Sequence, residues 1–454
     1  MSSKRLGRES RVPLTVCITV FLVTYFLNND FNIRYIWNYA FVAAVIVCSR
    51  LFDGNGMIRM GKVTVVYLLL SGVVVAFSFL PNSVLDPESN NHAISIMLFA
   101  LCAVLSKPSR NELRISETLL LLFAVILTVY IIAVKAFPDF YWDRIYPFLS
   151  SDTQNEAVNL MKTYNYGVPV GGSANYADYI LALGLFICLS KLFSNFAGNI
   201  KAKICFVLSF LFILGMVIEN RRGELIAAVL TIVVMYLLSM NFGRIETNRL
   251  FRAMAAAAII AVGLVFMYAR GMLDRYINTI VSLSSRKAGR IEEVGNGRIA
   301  LWSLAIEKFF RSPIIGIGWN QFRATNDIPF MEGINVHNDY LQWLCETGII
   351  GFILILIPTL YLWFKTAKRC RFLFANRAFY CNEARSYALI SFGIQNFFIL
   401  LHFMDPCFYK LIFWPIYALS IILYNRSTFF ATRTAGALEQ EYAYNCLIEE
   451  ARAV

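Results

Sequence analysis

The sequence predicts an all-α polytopic membrane protein of about twelve transmembrane helices, and three observations predict it. Of 454 residues, 58% are hydrophobic and 15% charged, with a mean hydropathy of +0.59, a balance that puts most side chains in lipid and not around a water-facing core. Apolar runs of the length a bilayer requires, about 20 residues each, recur along the chain. The short connections between them alternate in charge as topogenic loops do. A soluble globular class is thereby excluded. The formal net charge of +12 reads as topogenic charge attracted to anionic lipid, and no nucleic-acid partner is expected.

In order, the expected spans are 12–28, 35–51, 63–80, 93–106, 115–134, 176–193, 203–218, 224–240, 254–269, 347–364, 386–402 and 408–424. The first run follows a basic start and leads straight into further spans without a small-residue cleavage site, so it reads as an anchor and not as a signal peptide. Orientation follows from the loops. Basic residues gather at Lys4, Arg5, Arg8 and Arg11; at Arg50, Arg59 and Lys62; at Lys107, Arg110 and Arg114; at Lys191, Lys201 and Lys203; at Arg244, Arg249 and Arg252; and from Lys365 to Arg385. The alternate short loops carry acids instead, among them Asp30, Asp86, Glu88, Asp139 and Asp405. Both termini are therefore expected on the cytoplasmic side, with residues 1–424 forming the membrane domain and 425–454 a cytoplasmic tail.

Two outer segments exceed what a connection needs, at about 135–175 and, between the ninth and tenth spans, about 270–346; loops of that length usually carry function. The second is basic, with Arg270, Arg275, Arg286, Lys287, Arg290, Arg298, Lys308, Arg311 and Arg323, which calls for an anionic partner or acidic neighbours. Within it, Ile299 to Phe310 has helical apolar spacing between Gly295-Asn296-Gly297 and Ser312-Pro313, and predicts an amphipathic helix at the membrane surface. The ten cysteines are scattered singly with no C-x-x-C pair or Cys/His cluster, so they read as small membrane-helix residues, not as disulfides or zinc ligands.

Only three histidines occur. His92 starts the fourth span and His402 ends the eleventh, where packing or interface roles suffice. His337 is different: it ends the long outer loop and opens the run from Val336 to Gly351, VHNDYLQWLCETGIIG. Here His337 and Asn338, nine residues, Gly348, two residues and Gly351 resemble the H-[NSQ]-x9-G-x-x-[GTY] pattern of the bacterial O-antigen ligase and O-antigen polymerase superfamily. The segment from Gly297 to Phe322 resembles its G-R-x-x-x-W helix and P-x-x-G-x-G turn. Asn220-Arg221-Arg222-Gly223 resembles its arginine-glycine turn, and Gly172-Ser173-Ala174-Asn175 its glycine/asparagine start of a helix. The resemblance spans roughly residues 165–420 and implies a fold like that of C-type membrane glycosyltransferases.

It also implies a multi-pass protein of the bacterial inner membrane with a periplasmic active site. The donor would be a glycan on undecaprenyl diphosphate and the acceptor the lipid A core or a carrier-linked repeat, with membrane lipid around both. The departing diphosphate concentrates negative charge, for which guanidinium groups are suited partners. On this basis Arg222 and Arg298 are the expected clamps, Arg221 competing with Arg222 for that role, and His337 the expected general base. Arg221, Asn338 and Asn175 are expected to bind substrate, with Asp339 and Glu346 in support. No cofactor or metal is expected, the outer segments offering no D-x-D pair. Plainer readings stand beside these: Arg221 or Arg222 on lipid headgroups, Arg298 paired with Glu293, and His337 bonded to backbone. Tyr141, Trp142, Tyr164, Tyr166, Trp302, Trp319 and Trp343 could stack on sugars or form an interfacial belt. The spacing favours ligase over polymerase, and a twelve-span transporter or flippase is a lesser alternative.

Overall fold

The computed structural model describes residues 13–30, 36–53, 60–80, 83, 87–163, 168, 174–194, 199–240, 297–329, 331–377 and 379–431. Every regular element among them is helical. The main helices are α1 (Leu14–Asp30), α2 (Ile36–Asp53), α3 (Lys62–Ser78), α4 (Pro87–Leu105), α5 (Arg110–Ala136), α6 (Ala174–Phe193), α7 (Asn199–Glu219), α8 (Arg222–Ser239), α9 (Arg298–Arg311), α10 (Asp339–Ala375) and α11 (Asn382–Leu401), followed by α12 at 413–431. Eleven expected spans coincide with helices, and the ninth, 254–269, lies outside the described residues. Among the described residues, six helices are long and apolar enough to cross a membrane: α5, α7, α8, α10, α11 and most of α6. Four other apolar helices among the described residues are shorter. α12 runs seven residues past the expected start of the tail.

Local sequence explains the best-defined ends. Ser109 caps α5 by accepting from the Glu112 amide, with Glu112 in the first turn and Lys135 in the last, the charge placement that complements the helix dipole. Asn338 caps α10 by accepting from the Leu341 amide at 3.1 Å. The amphipathic helix expected over 299–310 is α9, which buries Leu301 and Ala305 against Phe322, Val336 and Cys345.

α6 and α11 form the interior of the bundle. Their apolar windows are 72% and 89% buried, against 33% for α5, α7, α8 and α10, whose outward faces carry exposed Leu122, Val207, Val233 and Ile357 as lipid-facing helices do. Buried polar residues on α11 find partners on neighbouring helices: Asn396 donates to Thr231 at 3.0 Å and accepts from Trp363 at 3.0 Å, and Ser391 donates to the Ser420 carbonyl at 2.7 Å. Without water, such groups would otherwise remain unsatisfied.

The two ends of the bundle differ. At one end lie paired charges, Lys191 with Glu117 at 2.5 Å and Arg110 and Arg114 with Glu383, and two arginines on backbone carbonyls, Arg371 on Met240 and Arg377 on Ser239. At the other lie the α7–α8 turn, the starts of α6 and α10, and the residues between α11 and α12. Within the long outer segment expected at 135–175 lies a chain of short helical turns from Pro138 to Thr163, packed on Tyr141, Leu149, Ala157 and Val168 and exposing Phe140 and Phe148.

The turn after α9 is locked onto α10 by backbone contact. Ile317 and Gly318 donate to the carbonyls of Cys345 and Glu346 at 2.9 and 3.0 Å, and Ile349 and Ile350 donate back to Pro313 and Ile314 at 2.9 and 3.3 Å. α10 breaks at Gly348, with φ 63° and ψ −171°. A Cβ there would lie 2.3 Å from the Ile314 carbonyl oxygen, and one on Gly316, φ 75°, would lie 2.3 Å from the Glu346 carbonyl. The two glycine motifs are thus halves of one contact. Gly348→Ala should therefore add about 1–3 kcal/mol of backbone strain to a steric clash and lower the melting temperature in detergent, whereas Gly72→Ala, whose Cβ meets nothing within 4 Å, should not. Equal melting temperatures would contradict the contact.

Candidate active site

A cavity of about 460 Å³ opens at the end of the bundle away from the paired charges. Its wall gathers cations (Arg221, Arg323, Lys410), acids (Glu156, Asp405), two histidines (His92, His337), amides (Asn320, Asn335) and aromatics (Tyr25, Tyr176, Trp319, Tyr409). These come from distant parts of the chain.

Backbone strain concentrates here. Among the described residues the non-glycine positions with positive φ are Asn220 (58°), Asn320 (60°) and His337 (55°). Asn320 and His337 line the cavity, and Asn220 immediately precedes Arg221, which does so too. Asparagine and histidine visit the left-handed region more often than most side chains, yet their surroundings must still hold them there. The flanks supply that hold: the Val336 amide donates to the Gln342 side chain at 3.3 Å, and Asn338 is tied down as the α10 cap.

Nδ1 of His337 lies 3.9 Å from Oδ1 of Asp405, an ion-pair separation longer than a hydrogen bond. The other carboxylate oxygen, Oδ2, accepts from the Tyr179 hydroxyl at 2.6 Å and pairs with Lys410. Lys410 also reaches the Tyr179 oxygen at 3.2 Å and sits over the Tyr176 and Tyr179 rings. Burial pushes the Asp405 carboxyl up, but Lys410 and then His337 outweigh it and hold the group below the usual carboxylate range. Asp405 is therefore an anion, and an anion facing Nδ1 favours the tautomer with the proton on that nitrogen and a lone pair on Nε2. Glu156 goes the opposite way: burial raises its carboxyl, with Arg221 and Lys410 opposing.

Glu346 fixes one wall. Oε2 accepts from the Asn320 amide at 2.9 Å and the Tyr409 hydroxyl at 2.7 Å, while Oε1 accepts from the Phe322 amide at 3.1 Å and Gln342 at 3.2 Å. Trp319 stacks on Tyr409 with ring centres 4.6 Å apart. Trp319 and Trp343 are fully buried, so these two belong to the interior and not to an interfacial belt; Tyr164 and Tyr166 lie outside the described residues.

Of the residues expected from sequence, the structure brings His337 and Arg221 to one cavity. Arg222 is half-buried in the first turn of α8 and is not among the lining residues. Arg298 is exposed at the start of α9, also outside the lining. Asn338 serves as a helix cap, and Asn175 lies in the first turn of α6 beside the lining residue Tyr176. His92 lines the cavity and accepts from Trp414 at 3.0 Å, whereas His402 is buried against Asp339 at 2.6 Å.

Sequence reasoning gave no role to Glu156, Tyr179, Tyr409 or Lys410, and took Asp405 only as an outer acid. Lys410 did offer a signal, being a basic residue beside a short outer connection, against the positive-inside preference.

Residues 207–356 match the family described as O-antigen ligase. This match supports the resemblance to the O-antigen ligase and polymerase superfamily that the motifs carry. With its apolar helices it is accordingly a multi-pass membrane protein of bacterial type. No curated protein matches the chain. The O-antigen ligase segment supplies Arg221, Asn320, Arg323, Asn335 and His337 to the cavity, while Glu156, Tyr176, Asp405, Tyr409 and Lys410 come from outside it.

Glu346→Ala should leave the Asn320 and Phe322 amides and the Tyr409 hydroxyl without their acceptor, at about 1–3 kcal/mol for each group left unsatisfied. Hydrogen–deuterium exchange over 318–324 should accelerate, and unchanged protection there would contradict the role given to Glu346.

Proposed function

We propose that the protein transfers a glycan from undecaprenyl diphosphate to an acceptor hydroxyl, acting as an O-antigen ligase that joins O-antigen to lipid A core. The observation that carries this reading is the shared cavity: His337 backed by anionic Asp405, together with Arg221 and Lys410, at one end of a lipid-embedded bundle. In this scheme Nε2 of His337 takes the acceptor proton as the acceptor oxygen attacks the anomeric carbon. The bond from that carbon to the diphosphate oxygen breaks, and the electron pair leaves with the diphosphate. Arg221 and Lys410 neutralise charge that grows along the reaction, the place where electrostatic stabilisation gains most.

The clamp role expected of Arg222 passes in this reading to its neighbour Arg221. Arg222 and Arg298, outside the lining, are read as outlying cations that draw the diphosphate toward the cavity. Orientation draws support from the cations gathered at the opposite end, Arg110, Arg114, Lys191, Arg371 and Arg377. If that end is cytoplasmic, as the positive-inside rule favours, the cavity faces the periplasm across the inner membrane and both termini lie inside.

Ligase and polymerase share this donor and differ in acceptor. The His-Asn and Gly-x-x-Gly spacing favours the ligase. A deletion strain should keep polymer on the carrier and leave its lipid A core bare; core bearing a single repeat would mark a polymerase, and carrier-linked sugar stranded on the cytoplasmic face a flippase. With purified protein, carrier-linked glycan and lipid A core, His337→Ala should lower transfer by roughly 10²–10⁴-fold, the usual worth of a general base. Transfer undiminished in His337→Ala would remove the assigned base.

A further inference from the structure

His337 and Asp405 reach the cavity on two separate stretches of chain, 336–339 leading into α10 and 402–410 after α11. A second set of contacts ties these stretches together outside the cavity. The Asp339 amide donates to the His402 carbonyl at 2.8 Å, and Asp339 Oδ2 lies 2.6 Å from His402 Nδ1. The same Oδ2 accepts from the Phe408 amide at 2.9 Å and from the Cys407 thiol at 3.4 Å, and Cys407 Sγ is 3.1 Å from His402 Nδ1. Asp339, His402 and Cys407 are each 0% exposed. Rings of Trp343, Tyr340, Phe408 and Phe413 enclose the imidazole, with centres 5.0–5.8 Å away. Shielded from water, hydrogen bonds to a carboxylate are strengthened.

We infer that this buried cluster is a latch, and that Asp339 and His402 are positioning residues that set the separation of His337 from Asp405. The inference rests on the transfer reading above and adds residues to it. Asp339 stands two residues from His337, and His402 three from Asp405, so the latch fixes both chains within about 8–11 Å of the pair at about 3.8 Å per residue. Sulfur, nitrogen and oxygen donors in one place also raise a bound divalent ion. The geometry points away from it. Donors about 2.0–2.3 Å from a tetrahedral ion stand more than about 3 Å apart, but Oδ2 and Nδ1 are at hydrogen-bond distance and Oδ2 already takes a backbone amide.

A double-mutant cycle on the purified full-length protein tests the latch. Asp339→Asn is expected to lower kcat for transfer at least tenfold with donor and acceptor KM little changed. In an Asp405→Asn background the same substitution should cost less than about threefold more, because the geometry it supports is already lost. Losses that multiply in full would overturn the latch while leaving the transfer reading intact. If neither Asp405→Asn nor His337→Ala slows transfer, both readings fall together. Should Asp339→Asn not fold, Cys407→Ala, which removes one of three donors to Oδ2, carries the same cycle, with Cys407→Ser expected to restore activity. A stoichiometric transition metal that leaves together with activity in Cys407→Ala would also overturn the latch in favour of a metal centre.

Discussion

An anionic carboxylate at the end of an apolar bundle persists only where cations and hydroxyls surround it, and Asp405 assembles such a shell from three parts of the chain. Tyr179 comes from the buried helix α6, Lys410 from the turn into α12, and His337 from the approach to α10. Removing any of them would leave a charge only 4% exposed with fewer partners, an expensive state in a low-dielectric setting. The cavity is the open side of this shell. Its wall carries two further cations, Arg221 and Arg323, guanidinium groups of the kind that suit an anionic ligand.

Rigidity behind the shell comes from backbone contact. The turn after α9 crosses α10 at Gly348, where no side chain fits on either strand of the crossing. One residue pair earlier, Glu346 gathers the Asn320 and Phe322 amides and the Tyr409 hydroxyl. The strained backbone of His337 therefore sits between fixed points, a circumstance typical of residues whose geometry matters for chemistry.

Hydropathy made the helices legible, since lipid demands long apolar runs and leaves little freedom in where they lie. Apolar periodicity made α9 legible, and the glycine and histidine motifs drew attention to the start of α10 because their spacing encodes the crossing. The rest was hidden for physical reasons. Tyr179 and Lys410 are ordinary residues in sequence, and they acquire meaning only by meeting Asp405, in the case of Tyr179 across 226 residues. The preference for Arg222 over Arg221 rests on its place directly before Gly223, which carries no information about where the chain turns. The left-handed Asn220 turns the chain so that Arg221 stays extended, with φ −96° and ψ 101°, before the helix begins at Arg222, and the extended residue is the one on the cavity wall. Trp319 and Trp343 look like interfacial aromatics until the fold buries them. The short helical turns within 135–175 stayed hidden because they lack a sustained period.

The central claim is that this cavity receives the diphosphate of a lipid-linked donor. The most direct measurement is an experimental structure of the protein with undecaprenyl diphosphate. The account predicts the two phosphates within hydrogen-bonding reach of Arg221 and Lys410, with His337 facing the departing bond. Phosphates bound instead at the opposite, charge-paired end, or at exposed Arg298 with the cavity empty, would contradict it.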